Sequence, residues 1–165
     1  MIMNTKNKPY LFFFIFMMSL MIVSCQTETS DKQVIRQAGD QISLLISETG
    51  KAKNADTTAT LVSPRTFDSK GNLVLVRSRD WTSGFFPGIL WYLYELTGKK
   101  EWQEEAVRFT ADLEKEKSNG TTHDMGFKIY CSFGNGYRLT DDTAYRAVII
   151  QSARTLSTRF HPTIG

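Results

Sequence analysis

Two short stretches of the chain bring glycines, aromatic rings and a carboxylate together: Asp80-Trp81-Thr82-Ser83-Gly84-Phe85-Phe86-Pro87-Gly88 and Thr122-His123-Asp124-Met125-Gly126-Phe127. Each reads as the start of a buried helix. Glycines beside aromatics at such a start let backbone and ligand approach closely, because no Cβ stands between them. A flat ring such as that of Trp81 suits the face of a sugar, and a carboxylate such as Asp124 suits acid–base chemistry. Together they suggest a carbohydrate pocket with Asp124 in it. On spacing alone two plainer roles stay open and lead: Asp124 as a helix N-cap and Trp81 as a core aromatic.

Other chemistries find little support. The two histidines, His123 and His161, are far apart, so no zinc ligand set assembles and no metal site is expected. Cys131 lies in an aromatic-rich run and reads as a small buried hydrophobe. The 165 residues carry 41% hydrophobic and 22% charged side chains with only 4 prolines and 11 glycines, which is globular composition in one domain. The formal charge is +3, but Lys6 and Lys8 sit in a leader; without them 18 basic residues face 17 acidic ones. No cluster of Lys or Arg exceeds a pair, which excludes a nucleic-acid partner.

The leader has a polar start with Lys6 and Lys8, then an apolar run of 14 residues from Tyr10 to Val23 broken only by Ser19. As a helix this run reaches about 21 Å, short of the ~30 Å hydrocarbon core, so it reads as a secretory signal and not a membrane span. It ends in Ile22-Val23-Ser24-Cys25, which resembles the lipobox of bacterial lipoproteins. Residues 1–24 are thus expected to be a signal peptide and Cys25 a lipidated anchor in the envelope of a Gram-negative cell, periplasmic or outer-membrane. Residues 25–31 would form a polar tether, and 32–165 the folded part. A lipidated Cys25 leaves Cys131 without a disulfide partner.

The elements that must hold the two stretches are helical. Val34, Ile35, Ala38, Ile42, Leu45 and Ile46 make one face of a first helix, for which Gly50 supplies a stop. Residues 51–80 are mixed, with a short strand at Leu73–Val76 after an Asp68–Gly71 turn. Residues 87–96 are apolar nearly all round, which marks a buried helix, and Gly98 ends it. From Lys99 to Lys117 a stripe of Trp102, Ala106, Phe109 and Leu113 opposes a charged face that includes Asp112, Glu114 and Glu116, read as solvated. A last helix runs from an Asp141 N-cap to about Arg159, with Tyr145, Val148, Ile149, Ser152 and Leu156 on one face. Amphipathic and all-apolar helices thus alternate in an all-α fold with almost no sheet, an array of α/α hairpins closing on itself.

The segments DWTSGFFPGILWYLYELTG and THDMGFKIYCSFGNGYRLT resemble the signature of glycoside hydrolase family 88, the unsaturated glucuronyl hydrolases, from about Pro64 to the end of the chain. Lipoprotein members of the Bacteroidetes type, from polysaccharide-utilisation systems, are the most similar. The resemblance implies a six-hairpin α/α toroid, of which about the first five helices are present. Its pocket would lie at one end of the inner helices.

The implied partners are oligosaccharides made by polysaccharide lyases, of glycosaminoglycan origin, ending in an unsaturated uronic acid. Their C4=C5 vinyl ether is electron-rich at C4. Protonation there puts positive charge on C5 and the ring oxygen, water adds at C5, and the hemiketal collapses to release the aglycone. No metal or organic cofactor is implied. By the same resemblance Asp124 corresponds to the first of two essential aspartates, holding the sugar and stabilising charge. His123 would shape the pocket, and Trp81 would stack on the ring. The second aspartate belongs to a later inner helix. Gly84 and Asp124 are 40 residues apart, and six such steps need about 240 residues, so this chain alone is expected to be inactive and poorly stable. Two other readings stay open: an unsaturated rhamnogalacturonyl hydrolase, and a non-catalytic glycan-binding lipoprotein remnant.

Overall fold

A computed structural model describes residues 30–163. The expected signal peptide, Cys25 and all of the tether but Ser30 and Asp31 lie outside the described residues. The chain divides into two units, Met1–Asp40 and Gln41–Gly165. The described residues of the first, 30–40, are the opening turns of helix α1, Ser30–Ala55; all that follows concerns the second unit.

Helix α1 does not stop at Gly50. That glycine has nothing within 4 Å of where a Cβ would stand, and it is simply tolerated inside the helix. The stop comes from Asp56, whose carboxylate accepts the backbone N–H groups of Thr58 (2.9 Å), Thr60 (3.1 Å) and Leu61 (3.1 Å) and the Thr58 hydroxyl (2.6 Å). Such a turn satisfies donors that would otherwise continue the helix. These bonds, led by that from the Thr58 side chain, hold the Asp56 carboxyl down at about 2.

Strands β1 (Leu61–Phe67) and β2 (Leu73–Arg77) follow as an antiparallel hairpin with an irregular register. Strand β2 lies where the spacing predicts a strand, whereas β1 falls in a stretch that reads as mixed. Pro64 sits in the middle of β1, where it is tolerated because a two-stranded sheet consists only of edges.

Helices α2 (Phe85–Thr97) and α3 (Lys100–Ala111) form a hairpin around Gly98, whose φ of 66° is the left-handed region and whose N–H closes on the Tyr94 carbonyl at 2.8 Å. Between them lies the apolar core: Phe86, Leu90, Trp91, Leu93, Trp102, Ala106 and Phe109, with Ile42, Leu45 and Ile46 of α1 packed on it. The expected stripe of α3 is therefore buried. The opposite face of α2 is not, since Ile89, Tyr92 and Leu96 are exposed.

The expected long third helix breaks after Ala111 into a 3-10 turn, Glu114–Ser118. Residues Gly126–Gly134 then wind as a π-helix that runs into α4, Asn135–Thr140. Helix α5, Thr143–Ser157, packs back on that segment. A second core of Val62, Leu113, Met125, Ile129, Phe133 and Val148 fills the space between them. Tyr145 joins the two cores, set edge-on to both Trp91 (6.1 Å) and Phe133 (5.5 Å).

Asp141 is not the N-cap of α5. It takes the left-handed conformation, φ 55°, that closes α4, a region open to aspartate more than to most residues. Asp142, extended, does the capping by accepting the Ala144 N–H at 2.8 Å.

Candidate functional site

The turn after β2 is built by a carboxylate. Asp80 Oδ1 accepts the Thr82 N–H (2.9 Å) and hydroxyl (2.6 Å), while Oδ2 receives Arg65 at 3.0 Å. Partial burial pushes the Asp80 carboxyl up, but the Thr82 bonds and the charges of Arg65 and Lys128 outweigh this and leave it below its ordinary value. Asp80 is thereby committed as an anion to shaping the loop that presents Trp81.

Behind this turn the chain passes very close to the π-helix. A Cβ at Gly84 would stand 2.2 Å from the Phe127 carbonyl oxygen and 2.4 Å from that of Lys128. One turn later, at Gly88, it would stand 3.0 Å from the Cys131 carbonyl oxygen. Only a residue without a side chain allows the approach at Gly84. Two serines lock it further: Ser63 Oγ donates to the Ser83 carbonyl at 2.8 Å, and Ser83 Oγ donates to the Ser78 carbonyl at 2.9 Å.

This crossing brings the two stretches together. Trp81, 46% exposed, meets Phe85 edge-on at 5.7 Å and Phe127 at 5.8 Å, and the two phenylalanines are 5.6 Å apart. Trp81 is thus neither a free ring nor a core residue. It is the outer member of a three-ring cluster with a solvent-facing side, in which Phe127 is also exposed. Phe85 and Phe127 were not singled out in the sequence, although both stand inside the two stretches.

Asp124 lies one turn before Phe127, and its carbonyl accepts the Lys128 N–H at 3.2 Å. Its side chain is 23% exposed. It does not cap the π-helix, which begins after Met125 without a side-chain cap. Instead Asp124 Oδ2 accepts the Thr122 hydroxyl at 3.3 Å, and the Asp124 N–H donates to the same hydroxyl at 3.0 Å. His123 Nε2 lies 3.4 Å from Asp124 Oδ1, with the histidine side chain 81% exposed. The π-helix itself is a departure from regular helix that recurs at functional sites.

Two charged residues are buried where the sequence pattern does not show it. Glu116, assigned to a solvated face, is 3% exposed, because the 3-10 turn rotates it inward; Lys128, unremarked, is wholly buried. The lone lysine in the apolar run Gly126–Gly134 was the available signal, since a lysine buried there needs a charged partner. Burial pushes the Glu116 carboxyl up, but hydrogen bonds from Asn119 and Ser78 and the Lys128 charge prevail, leaving it below its ordinary value. Burial pushes the free Cys131 thiol up. Among the described residues no group of three or more His, Cys, Asp or Glu side chains could hold a metal ion.

Hairpins of amphipathic outer and apolar inner helices, with aromatic and acidic residues at the start of the inner ones, place the chain in the α/α toroid class. Solved structures agree: the unsaturated glucuronyl hydrolase specific for heparin superposes with a TM-score of 0.60 and 42% identity, over 70% of this chain and 30% of that one. The chain is 43% identical over 145 residues to an unsaturated glucuronyl hydrolase of Formosa agariphila, covering 86% of this chain and 36% of the relative. It is 32% identical over 105 residues to another from a Bacillus species, covering 62% and 28%. The chain therefore is homologous to unsaturated glucuronyl hydrolases and spans about a third of the length of these relatives. No protein-family model matches it.

Proposed function

We propose that the protein is a glycoside hydrolase that removes an unsaturated uronic acid from the non-reducing end of lyase-generated oligosaccharides. One observation carries this reading: the acidic stretch around Asp124 and the aromatic stretch around Trp81 meet at one crossing, in a chain homologous to unsaturated glucuronyl hydrolases. The three-ring cluster offers an apolar wall for a pyranose ring, and Asp124 offers a negative charge beside it. A cationic transition state, with charge on C5 and the ring oxygen, gains most from such a carboxylate. Trp81 stacks on the sugar, and His123 lines the opening beside Asp124. Protonation of C4 and delivery of water require a second carboxyl group, assigned by the resemblance to a later inner helix. Glycosaminoglycan-derived oligosaccharides are the preferred substrates, a reading supported by the heparin-specific relative. The lipobox-like Ile22-Val23-Ser24-Cys25 supports attachment to a membrane of the cell envelope through Cys25.

The test follows the loss of vinyl-ether ultraviolet absorbance when the full-length protein meets unsaturated disaccharides from glycosaminoglycan and from pectin. Asp124→Asn is expected to lower kcat by about 10²–10⁴-fold. Trp81→Ala is expected to raise KM about tenfold, equivalent to about 1.4 kcal/mol of lost binding. Failure of the full-length protein to consume either substrate sinks the assignment. Undiminished turnover by Asp124→Asn removes that residue from the site. Mass spectrometry of the mature N-terminus checks the anchor, which requires a diacylglyceryl group on Cys25.

A further inference from the structure

Beneath the three-ring cluster lies a charge pair that no step above uses. Lys128 is wholly buried, Glu116 is 3% exposed, and Lys128 Nζ lies 3.2 Å from Glu116 Oε2. Glu116 has two further partners. Its Oε1 accepts the Ser78 hydroxyl at 2.6 Å, and its Oε2 accepts Asn119 Nδ2 at 2.7 Å.

Each of these three partners belongs to a segment that delivers part of the site. Ser78 stands in the turn between β2 and Trp81, and its carbonyl holds Ser83 next to the Gly84 crossing. Asn119 opens the loop that leads to Asp124, and its Oδ1 accepts the Thr121 N–H (3.0 Å) and hydroxyl (2.6 Å). Lys128 follows Phe127, and its N–H binds the Asp124 carbonyl. One buried carboxylate thus fastens the segment of Trp81, the loop before Asp124 and the helix after it.

Stability alone does not account for such a pair. Removing two charges from water costs several kcal/mol per ion, and an apolar pair of similar volume often serves a core as well or better. Directional bonds do what apolar packing does not: they admit one arrangement of the segments they join.

We propose that Glu116, together with Lys128, is a positioning group that holds Trp81 and Asp124 in a single relative geometry. Its consequence for turnover rests on the glycosidase reading above; its consequence for the tryptophan does not. The decisive variant is the double substitution Glu116→Gln/Lys128→Met, which leaves no unpaired buried charge. The protein is labelled with fluorotryptophan, and the Trp81 signal is assigned by its loss in Trp81→Phe.

In the double variant the Trp81 fluorine signal is expected to broaden or split while those of the buried Trp91 and Trp102 keep their positions. Alongside, kcat of the full-length protein falls about tenfold or more, as expected when reacting groups are misplaced. A Trp81 signal as sharp and in the same place as in the parent overturns the proposal. So does a change in the Trp81, Trp91 and Trp102 signals together, which marks a purely structural pair. If the double variant does not fold, Ser78→Ala, which removes one bond to Glu116 and leaves both charges paired, is read in the same way. A full-length parent protein without turnover sinks the glycosidase assignment, while the Trp81 signal still decides the positioning role.

Discussion

Between α2 and α3 the interior is apolar: Leu90, Trp91, Ala106 and Phe109 are wholly buried, and the Trp91 indole N–H finds the Thr110 hydroxyl at 3.0 Å. Between the turn after β2, the 3-10 turn and the π-helix, beside the second apolar core, a polar network is buried instead: Ser63, Ser78, Ser83, Glu116, Lys128 and Ser132. The first region stabilises by removing apolar surface from water and tolerates approximate fit. The second gains little net stability from its bonds but is intolerant of a missing partner. The candidate site stands over the polar region. Geometry there is set by directional bonds, and the apolar hairpin serves as the platform.

The contrast predicts how the regions fail. Lys128→Met, which leaves Glu116 buried without its cation, is expected to cost about 4 kcal/mol and to be largely relieved by adding Glu116→Gln. Leu90→Ala in the apolar region is expected to cost about 3 kcal/mol, with no second-site charge change restoring it. Urea unfolding of the three variants measures both, and equal costs for Lys128→Met with and without Glu116→Gln would erase the distinction. Gly84→Ala is expected to cost about 2 kcal/mol by forcing the α2 and π-helix backbones apart. The same variant should move the Trp81 signal, whereas Gly88→Ala, with a looser contact, should do less of both.

The smallest effect is that of acid. The Glu116 and Asp80 carboxyls are held below their ordinary values in the folded protein. The unfolded chain therefore binds more protons than the folded one as pH falls through the ordinary carboxylate range. The stability these groups supply is complete above that range and is lost as pH falls through it toward their folded values. Thermal melting between neutral pH and about pH 3 should show this loss, reduced in Glu116→Gln. An unchanged pH profile in that variant would mean that Glu116 is not held as an anion.

Much of the fold was legible because apolar spacing reports burial directly. The Trp102–Ala106–Phe109–Leu113 stripe and the Val148–Ser152 face of α5 are buried as their spacing requires. Boundaries were less legible where a polar side chain overrode a glycine or a neighbouring aspartate, as at Asp56 and Asp142. Strand β1 is not legible because Pro64 speaks against a strand unless one of its sides is known to be an unpaired edge. Trp81, Asp124 and His123 stand out in the sequence by residue type, whereas Phe127, which packs against Trp81, does not.

Residue order determined which segments are helical, which faces are apolar, and that two Gly- and aromatic-rich stretches stand where helices begin. Those are local properties, set by spacing and backbone freedom within one or two turns. Which rings would meet, how near Gly84 would come to the Phe127 carbonyl, and which way Glu116 would turn were decided only when distant segments packed. Glutamate in a run of charges has the same local preferences whether it faces water or a buried lysine twelve residues on. Only the partner across the chain, and the loss of water around both, separates the two outcomes.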